Sequence, residues 1–420
     1  MMELNFSKRG DALIGQEMFR LLDLSKKIEL EGKKIYHLEL GDPKNYRFEL
    51  GDPKYYRGAK NYPPGRVINK TIVSLLNSDV GYASSGGLTA LRQKLSEYLS
   101  KKFGKGVGAE NVVISTANML IFQILDIVCE KSDAVAVFTP AFPSYIATCG
   151  YVGVSMVKVP LSAENGFNLT KRDIDKAFSS NPKLIFVNSG NNPTGAVYDE
   201  EVLRYLLERA KKRDCWIISD ETYGMLSYDK KYFSMANLDY EKLVVISSFS
   251  KVFNIPGFRI GYAIADPRVA RKISLSTSTL YSCLPLFTQE GVLEGIPVMD
   301  AFAEDRMKYY KKLCKQCTDI LSRSKYISCT KPVSAFYLFI DIRKLGIDDK
   351  LFCSNLLEEY RTVVTPGASF GWKGFIRASF CGAVDDVKKG LKQIVSYADF
   401  LGRNLRKKSP PVKKSRTKGE

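Results

Sequence analysis

Short apolar runs alternate with helical patterns along most of this chain, and that alternation limits the possible folds more than any other feature. Helical segments such as 89–103 and 200–212 repeat apolar residues at spacings of three and four. Strands that alternate with helices are typical of a parallel sheet covered by helices, so an α/β fold is predicted. The strand-like runs are 35–40, 112–115, 134–138, 184–188, 216–219, 243–247 and 260–265.

The sequence changes in character after residue 295. An amphipathic helix is predicted over 301–323, and strand-like runs follow at 337–341 and 374–380. These patterns predict a large domain over 61–295 and a smaller α+β domain over 296–402, to which the N-terminal segment 1–60 contributes. Residues 403–420 hold eight basic residues against one acidic residue and few apolar ones, which predicts a disordered, solvated tail. A targeting or nucleic-acid role is the alternative for that tail.

Composition excludes several classes of protein. The 420 residues are 45% hydrophobic and 26% charged, close to ordinary globular values, and they contain no apolar run long enough to cross a membrane. Residues 1–10 lack the apolar core of a secretory signal. Among the nine cysteines, Cys314 and Cys317 are three apart but have no second pair, and His37 is the only histidine. We therefore expect no metal site and reduced thiols in the cytoplasm. The net charge of +18 would suit a polyanion, but no DNA-binding helical module is recognisable at either end.

One segment places a lysine among hydroxyl groups and an arginine. Ser248, Ser250 and Lys251 lie in Ser-Phe-Ser-Lys, and Arg259 follows in Gly-Phe-Arg-Ile-Gly-Tyr. A partly deprotonated lysine forms Schiff bases with carbonyl compounds, and hydroxyls beside an arginine can hold a phosphate. A lysine without these neighbours would be a solvated surface group.

Three further segments carry polar residues at strand-like runs. Asp220 ends one run, where parallel sheets bind ligands, and a carboxylate there can keep a pyridine nitrogen protonated. Asn192 lies in Asn-Asn-Pro-Thr-Gly after another run, and its amide could reach a ring oxygen. Taken alone, both segments would be read as turns. Arg377 stands alone in an apolar strand pattern, and a buried arginine requires an anion such as a carboxylate.

Together these segments resemble the class I and II aminotransferases of pyridoxal phosphate fold type I, the aspartate-aminotransferase-like group, over residues 16–395. The resemblance implies a mostly parallel, seven-stranded type of sheet, pyridoxal 5'-phosphate as the cofactor, and a Schiff base on Lys251. It implies that Asp220 is the partner of the pyridine nitrogen, and that Tyr223 and Asn192 donate hydrogen bonds to the ring oxygen. The remaining implied contacts are a substrate carboxylate on Arg377 and a phosphate on Ser248, Ser250 and Arg259.

Weaker similarities extend the implied site. Tyr82 begins a Tyr-x-x-x-x-Gly-x-x-x-Leu-Arg segment whose tyrosine reaches the phosphate of the other subunit, which implies a homodimer with sites at the interface. Ala117 and Asn118 open a helical pattern whose first amides would bind phosphate, with Ala117 where the family usually has glycine. Phe142 occupies the place of the aromatic residue that stacks on the cofactor ring.

A tandem repeat of ten residues leaves one assignment open. Residues 39–47 recur as 49–57, so Gly41 or Gly51 could be the glycine that the family places near the substrate carboxylate. Gly41 directly follows the strand-like run 35–40, whereas Gly51 keeps the family's usual separation from Tyr82. Strand register is costlier to disturb than loop length, which favours Gly41.

The implied activity is a ping-pong transfer of an amino group between an L-amino acid and a 2-oxo acid. Lys251, once displaced from the cofactor, would remove the α-proton as a general base. Carbon–sulfur lyases and related synthases use the same scaffold and remain the alternative, as does a non-catalytic regulator that binds the cofactor. Amino acids and oxo acids are the expected partners, with no membrane.

Overall fold

The computed structural model describes residues 7, 10, 13, 15–42, 63–77 and 81–408. Most of the ten-residue repeat, including Gly51, and most of the basic tail lie outside the described residues.

Strands and helices alternate through the large domain and then give way to a helix-rich small domain. The strands are β1 (Tyr36–His37), β2 (Val112–Ser115), β3 (Ala134–Thr139), β4 (Ser155–Pro160), β5 (Leu184–Val187), β6 (Trp216–Asp220), β7 (Leu243–Ser248), β8 (Gly261–Ile264), β9 (Ser328–Cys329), β10 (Tyr337–Asp341), β11 (Thr362–Val363), β12 (Thr365–Pro366) and β13 (Phe375–Ser379). The helices are α1 (Glu17–Leu30), α2 (Gly65–Asn77), α3 (Thr89–Phe103), α4 (Ala117–Val128), α5 (Pro143–Val152), α6 (Lys171–Phe178), α7 (Glu200–Lys212), α8 (Phe249–Val252), α9 (Pro267–Tyr281), α10 (Leu286–Gly295), α11 (Met299–Leu321), α12 (Asp349–Tyr360) and α13 (Val384–Lys408).

A seven-stranded sheet in the order β2-β8-β7-β6-β5-β3-β4 forms the centre of the large domain. β8 runs antiparallel to both of its neighbours, and the other strands run parallel. The predicted mostly parallel α/β sheet is therefore confirmed. Because β2 and β7 both oppose β8, their carboxyl ends lie at the same edge as those of β5 and β6.

Apolar clusters cover both faces of this sheet. Ile185 and Val187 of β5 pack into one cluster with helices α6 and α7, whereas Leu184 and Phe186 pack into another with α4, α5 and α9. Alternate residues of a strand point to opposite faces, so β5 is buried on both sides. This explains why the central strands appear in the sequence as continuous apolar runs.

Five strands differ from the sequence prediction. Strands β9, β11 and β12 have two residues each and were not predicted. Strand β4 was not predicted because it lies at the edge of the sheet and most of its side chains are partly or fully exposed. The run 35–40 forms only the short strand β1, which pairs with β11 outside the large sheet. The backbone after β1 bonds to the small domain instead, since Leu38 accepts a hydrogen bond from the amide of Ser379 at 2.7 Å.

The small domain combines a four-stranded sheet, in the order β12-β13-β10-β9, with helices α11, α12 and α13. Helix α13 continues to Lys408, so the predicted disordered tail is wrong for residues 403–408. Leu401 packs against the core of the small domain and supports the helix to this point. Within the described residues, no helix is long and apolar enough to span a membrane.

Candidate active site

A cavity of about 660 Å³ lies where the carboxyl edge of the large sheet meets the small domain. The predicted site residues that line it are Gly41, Ala117, Asn118, Phe142, Asn192, Asp220, Tyr223, Ser248, Ser250, Lys251, Arg259 and Arg377. Tyr82 does not line the cavity, and 89% of its side chain is exposed on the surface of this subunit. The volume is in the range typical of small-molecule sites.

Lys251 reaches the cavity from the short helix α8, which begins directly after β7. Its Nζ donates a hydrogen bond to the backbone oxygen of Gly41 at 2.7 Å. Burial lowers the pKa of Lys251 to about 8, although Cys381 and Asp42 act in the opposite direction. A neutral amine is therefore accessible near physiological pH, as a nucleophile or general base requires.

Asp220 is a buried carboxylate at the end of β6. One carboxylate oxygen accepts a hydrogen bond from the phenol of Tyr145 at 2.6 Å, and the other accepts one from the amide of Thr222 at 3.0 Å. Among the described residues, no lysine, arginine or histidine forms an ion pair with Asp220. Its carboxylate is held by neutral donors and lacks a cation.

Arg377 is a guanidinium with only 1% exposure, carried by β13. It donates hydrogen bonds to the side-chain oxygen of Asn192 at 3.0 Å and to the backbone oxygen of Glu39. Its Nε is buried without a hydrogen-bond partner, and no described acidic side chain forms an ion pair with it. A buried guanidinium in this state is a receptor for an anion.

Asn192 is fixed by a buried turn rather than by a regular element. Its backbone N–H donates to the side-chain oxygen of Asn188 at 2.9 Å, and the side-chain NH2 of Asn188 donates to the backbone oxygen of Asp220 at 2.9 Å. Gly190 in the same turn has φ of +72°, a left-handed conformation that favours glycine. The turn is held in place, because the amide of Gly190 donates to Ala196 at 2.9 Å.

Hydroxyl groups and backbone amides gather at another part of the cavity. Ser248 precedes α8 and accepts a hydrogen bond from the amide of Ser250 at 3.2 Å. Thr116 caps the twelve-residue helix α4, whose first turn contains Ala117 and Asn118. Ala117 is the first residue of this helix, so an alanine fits at the position where the resemblance implied a glycine. Arg259 also lines the cavity and forms no ion pair with an acidic side chain among the described residues, so this set of residues can hold a phosphate.

Gly41 is required by a close contact. A Cβ atom at this position would lie 2.0 Å from the hydroxyl oxygen of Tyr337 and 2.9 Å from the ring of Phe336. Only glycine fits there, and its carbonyl meets Lys251. Gly51 lies outside the described residues, and these contacts favour Gly41.

Sequence reasoning missed three residues that hold the site together. Tyr145 donates to Asp220, Asn188 links Asp220 to Asn192, and the phenol of Tyr337 contacts that of Tyr223 at 2.6 Å. Tyr145 follows Phe142 by three residues at the start of α5, and the two rings meet edge to face. That helical spacing was the one signal available, and it concerned only Tyr145.

A parallel-sheet edge that presents a partly buried lysine, a carboxylate without an ion pair and a guanidinium without an ion pair defines an enzyme site for an anionic substrate. The family model described as aminotransferase class I and II matches residues 48–394, and the chain belongs to that family. Its relatives include aspartate aminotransferase from Thermotoga maritima, which is 28% identical over 386 residues that cover 90% of this chain and 97% of that protein.

Two further comparisons, with another relative and with a solved structure, also give aminotransferases. The (5-formylfuran-3-yl)methyl phosphate transaminase of Methanocaldococcus jannaschii is 29% identical over 400 residues, covering 92% of this chain and 98% of that protein. The crystal structure of the Thermotoga maritima aspartate aminotransferase matches with a TM-score of 0.83 at 26% identity, covering 93% of this chain and 99% of that one. The protein is an aminotransferase with the fold of its relatives.

Proposed function

We propose that this enzyme moves an amino group between an L-amino acid and a 2-oxo acid, with Lys251 as its catalytic amine and Arg377 as its carboxylate receptor. The observation that carries the proposal is the pair of unmatched buried charges in one cavity. Asp220 lacks a cation and Arg377 lacks an anion among the described residues, and each costs free energy to bury without a partner. A cofactor with a protonated pyridine and a substrate carboxylate would supply both partners.

The donor set fits pyridoxal 5'-phosphate, the cofactor of this family. Lys251 can form a Schiff base with its aldehyde, and the carboxylate of Asp220 can pair with its protonated ring nitrogen. Ser248, Ser250 and Arg259, together with the first turn of α4, suit its phosphate. Phe142 lines the same cavity and offers an aromatic face to the ring.

Pyridoxal phosphate, when bound, supplies an electron sink for the charge that develops at the substrate's α-carbon. The buried amine of Lys251 takes the α-proton, because its lowered pKa provides the neutral form near pH 8. Asp220 stabilises positive charge at the pyridine nitrogen throughout the cycle.

Arg377 orients the substrate. Its planar fork binds the α-carboxylate through two hydrogen bonds and turns the α-hydrogen toward Lys251. Asn192 accepts from Arg377 through its side-chain oxygen, so its amide NH2 remains to donate to the cofactor's ring oxygen. Tyr223, which lines the same cavity, would be the second donor to that oxygen.

The enzyme acts as a homodimer in this proposal, with Tyr82 completing the phosphate site of the other subunit. Helix α2 exposes apolar side chains that a second copy would cover, and the exposed residues are Ile72, Val73, Leu75 and Leu76. Tyr82 is itself exposed, as a residue that serves the neighbouring subunit would be when one subunit is viewed alone. All nine cysteines are free thiols, which supports a reducing compartment, and we propose the cytoplasm.

A spectroscopic half-reaction tests the function. The purified enzyme, loaded with pyridoxal phosphate, is mixed with single amino acids in the absence of an oxo acid, and the cofactor absorbance is recorded. A substrate should convert the cofactor to its aminated form and release one equivalent of 2-oxo acid, and an added oxo acid should reverse the change. Release of ammonia without aminated cofactor would instead identify a lyase and contradict transamination. The Lys251→Ala variant is the control, since it retains Arg377 but lacks the amine.

A further inference from the structure

Tyr337 lies at the centre of the site without a role in the motifs that define the family resemblance. It is the first residue of β10, its side chain is buried, and it lines the cavity. Its phenol contacts the phenol of Tyr223 at 2.6 Å, and the guanidinium carbon of Arg377 lies 4.4 Å from its ring centre. One side chain therefore touches a residue expected at the cofactor and the residue expected at the substrate.

The sheet of the small domain produces this contact. β10 and β13 are antiparallel, with Tyr337 opposite Ser379 and Phe339 opposite Arg377. Tyr337 and Arg377 are thus diagonal neighbours on one face of the sheet, within reach of long side chains. Thr365 of β12 lies opposite Arg377 on its other side, so the guanidinium is confined between two strands.

The hydroxyl group of Tyr337 carries one proton and can therefore donate a single hydrogen bond. A phenol donates one hydrogen bond, so Tyr223 can donate to the cofactor's ring oxygen only if it accepts from Tyr337. Burial raises the pKa of Tyr337 to about 12 and that of Tyr223 well above its ordinary value. Both phenols therefore remain protonated, and with a ring oxygen to accept from Tyr223 the hydrogen bond between the phenols would run from Tyr337 to Tyr223.

The ring of Tyr337 makes a contact of its own, with the guanidinium of Arg377. It supports the guanidinium of Arg377 from one side, and the ring of Phe370 lies 4.9 Å from the same carbon. Such cation–π contacts between buried groups stabilise the cation and fix its plane. The hydroxyl also occupies the space that a side chain at Gly41 would need.

We propose that Tyr337 is a positioning residue with two separable actions, in which its hydroxyl directs the proton of Tyr223 to the cofactor and its ring sets the plane of Arg377 for the substrate carboxylate. The inference rests on the proposed function. The charged and titratable groups that act on Tyr337 are Arg377, Tyr223, Cys381 and Asp42. All of them are retained in the variants below.

Two substitutions separate the actions. Tyr337→Phe removes the hydroxyl and keeps the ring, whereas Tyr337→Met removes both and fills the space with a flexible chain. Tyr397→Phe is the matched control, because it removes another buried tyrosine hydroxyl, which accepts a hydrogen bond from Asn355 at 2.9 Å and does not line the cavity. For each holoenzyme we would measure the pH midpoint of the cofactor absorbance without substrate, and then kcat and KM for the amino acid.

The hydroxyl stabilises the anionic form of the ring oxygen through Tyr223, so its loss should raise the pH midpoint by roughly 0.5 to 1 unit in both Tyr337 variants. KM should stay within about twofold in Tyr337→Phe and rise roughly threefold to tenfold in Tyr337→Met, because only the latter loses the ring beneath Arg377. The control should change neither quantity.

A midpoint in Tyr337→Phe equal to that of the wild type would overturn the proposal, even if Tyr337→Met failed to fold. Equal KM values in the two folded variants would overturn the action of the ring. A wild-type enzyme that forms no absorbing complex with pyridoxal phosphate would contradict the proposed function itself, which distinguishes the two failures.

Discussion

The side-chain oxygen of Asn192 accepts a hydrogen bond from Nη1 of Arg377 at 3.0 Å, so the residue expected at the cofactor ring is joined to the residue expected at the substrate. The contact fixes the orientation of the amide, because the oxygen must face the guanidinium. It also leaves Arg377 without a negatively charged partner among the described residues. The guanidinium is thus held in position and still free to bind a carboxylate.

Replacing this amide by a carboxylate should block the receptor. Asn192→Asp has almost the same shape and would form an ion pair with Arg377, so KM for the amino acid should rise roughly 10- to 100-fold. Asn192→Ala loses the same contact without adding charge, and its KM should rise only about threefold. Steady-state kinetics at saturating cofactor measure both, and equal KM values in the two variants would show that Arg377 does not bind the carboxylate.

The charge of Asp220 should matter more than its volume. Asp220→Asn keeps the shape but removes the charge at the pyridine nitrogen, and kcat should fall about 100-fold or more. Asp220→Glu keeps the charge and should lose less. Tyr145→Phe removes one donor to the carboxylate and should cost roughly tenfold. All are compared at saturating cofactor, so that weak binding is not mistaken for weak chemistry. Similar losses in the Asn and Glu variants would make Asp220 a structural residue.

The reactivity of Lys251 should rise at a lower pH than that of an ordinary lysine. Only the neutral amine attacks a carbonyl, so its rate increases as pH passes through its pKa, which burial lowers to about 8. Reductive alkylation of the cofactor-free chain with a small aldehyde, followed by mass spectrometry, should give a midpoint near pH 8. Free Nα-acetyl-lysine in the same solution should titrate near its usual value of about 10.4.

Arg259 provides an internal check on this result. Its positive charge lowers the pKa of Lys251, so Arg259→Gln should move the midpoint upward. The aldehyde carries no phosphate, so loss of phosphate binding does not affect the assay. A midpoint near 10 in the unaltered chain would contradict a buried, activated lysine.

Two inactive variants should restore activity to each other if Tyr82 serves the neighbouring subunit. In a mixed dimer of Lys251→Ala and Tyr82→Ala chains, the Tyr82→Ala subunit keeps its own Lys251 and receives Tyr82 from its partner. After random exchange of equal amounts, about a quarter of all sites should be complete. Activity of the mixture, with subunit exchange shown by mass, is the measurement. Exchange without recovery would place Tyr82 outside the site.

Much of the fold followed from the sequence because the central strands are buried on both faces and stand out as apolar runs. Edge strand β4 is largely exposed and gave no such signal. The run 35–40 was predicted as a full strand, yet its backbone bonds to Arg377 and Ser379 of the small domain after only two residues. Single-sequence patterns carry no information about such distant partners.

The residues of the site also fall into two groups, those that the sequence indicated and those that it did not. Lys251, Asp220 and Arg377 were found because each stands in a short motif with a chemical reason for its residue type. Tyr337 acts through Tyr223, which lies 114 positions earlier in the chain. Asn188 lies in the same segment as Asn192, but its bond to Asp220 spans 32 positions. Contacts that tertiary packing creates were visible only after folding.

The most direct test of this account is the identity of the lysine that binds the cofactor. The enzyme loaded with pyridoxal phosphate is reduced with borohydride, digested, and its peptides are mapped by mass spectrometry. We predict one pyridoxyl label, on Lys251, and none in the Lys251→Ala variant, which should still fold because the change leaves no large cavity in the core. A label on any other lysine, or an unlabelled wild-type chain, would contradict the central claim that Lys251 is the catalytic amine.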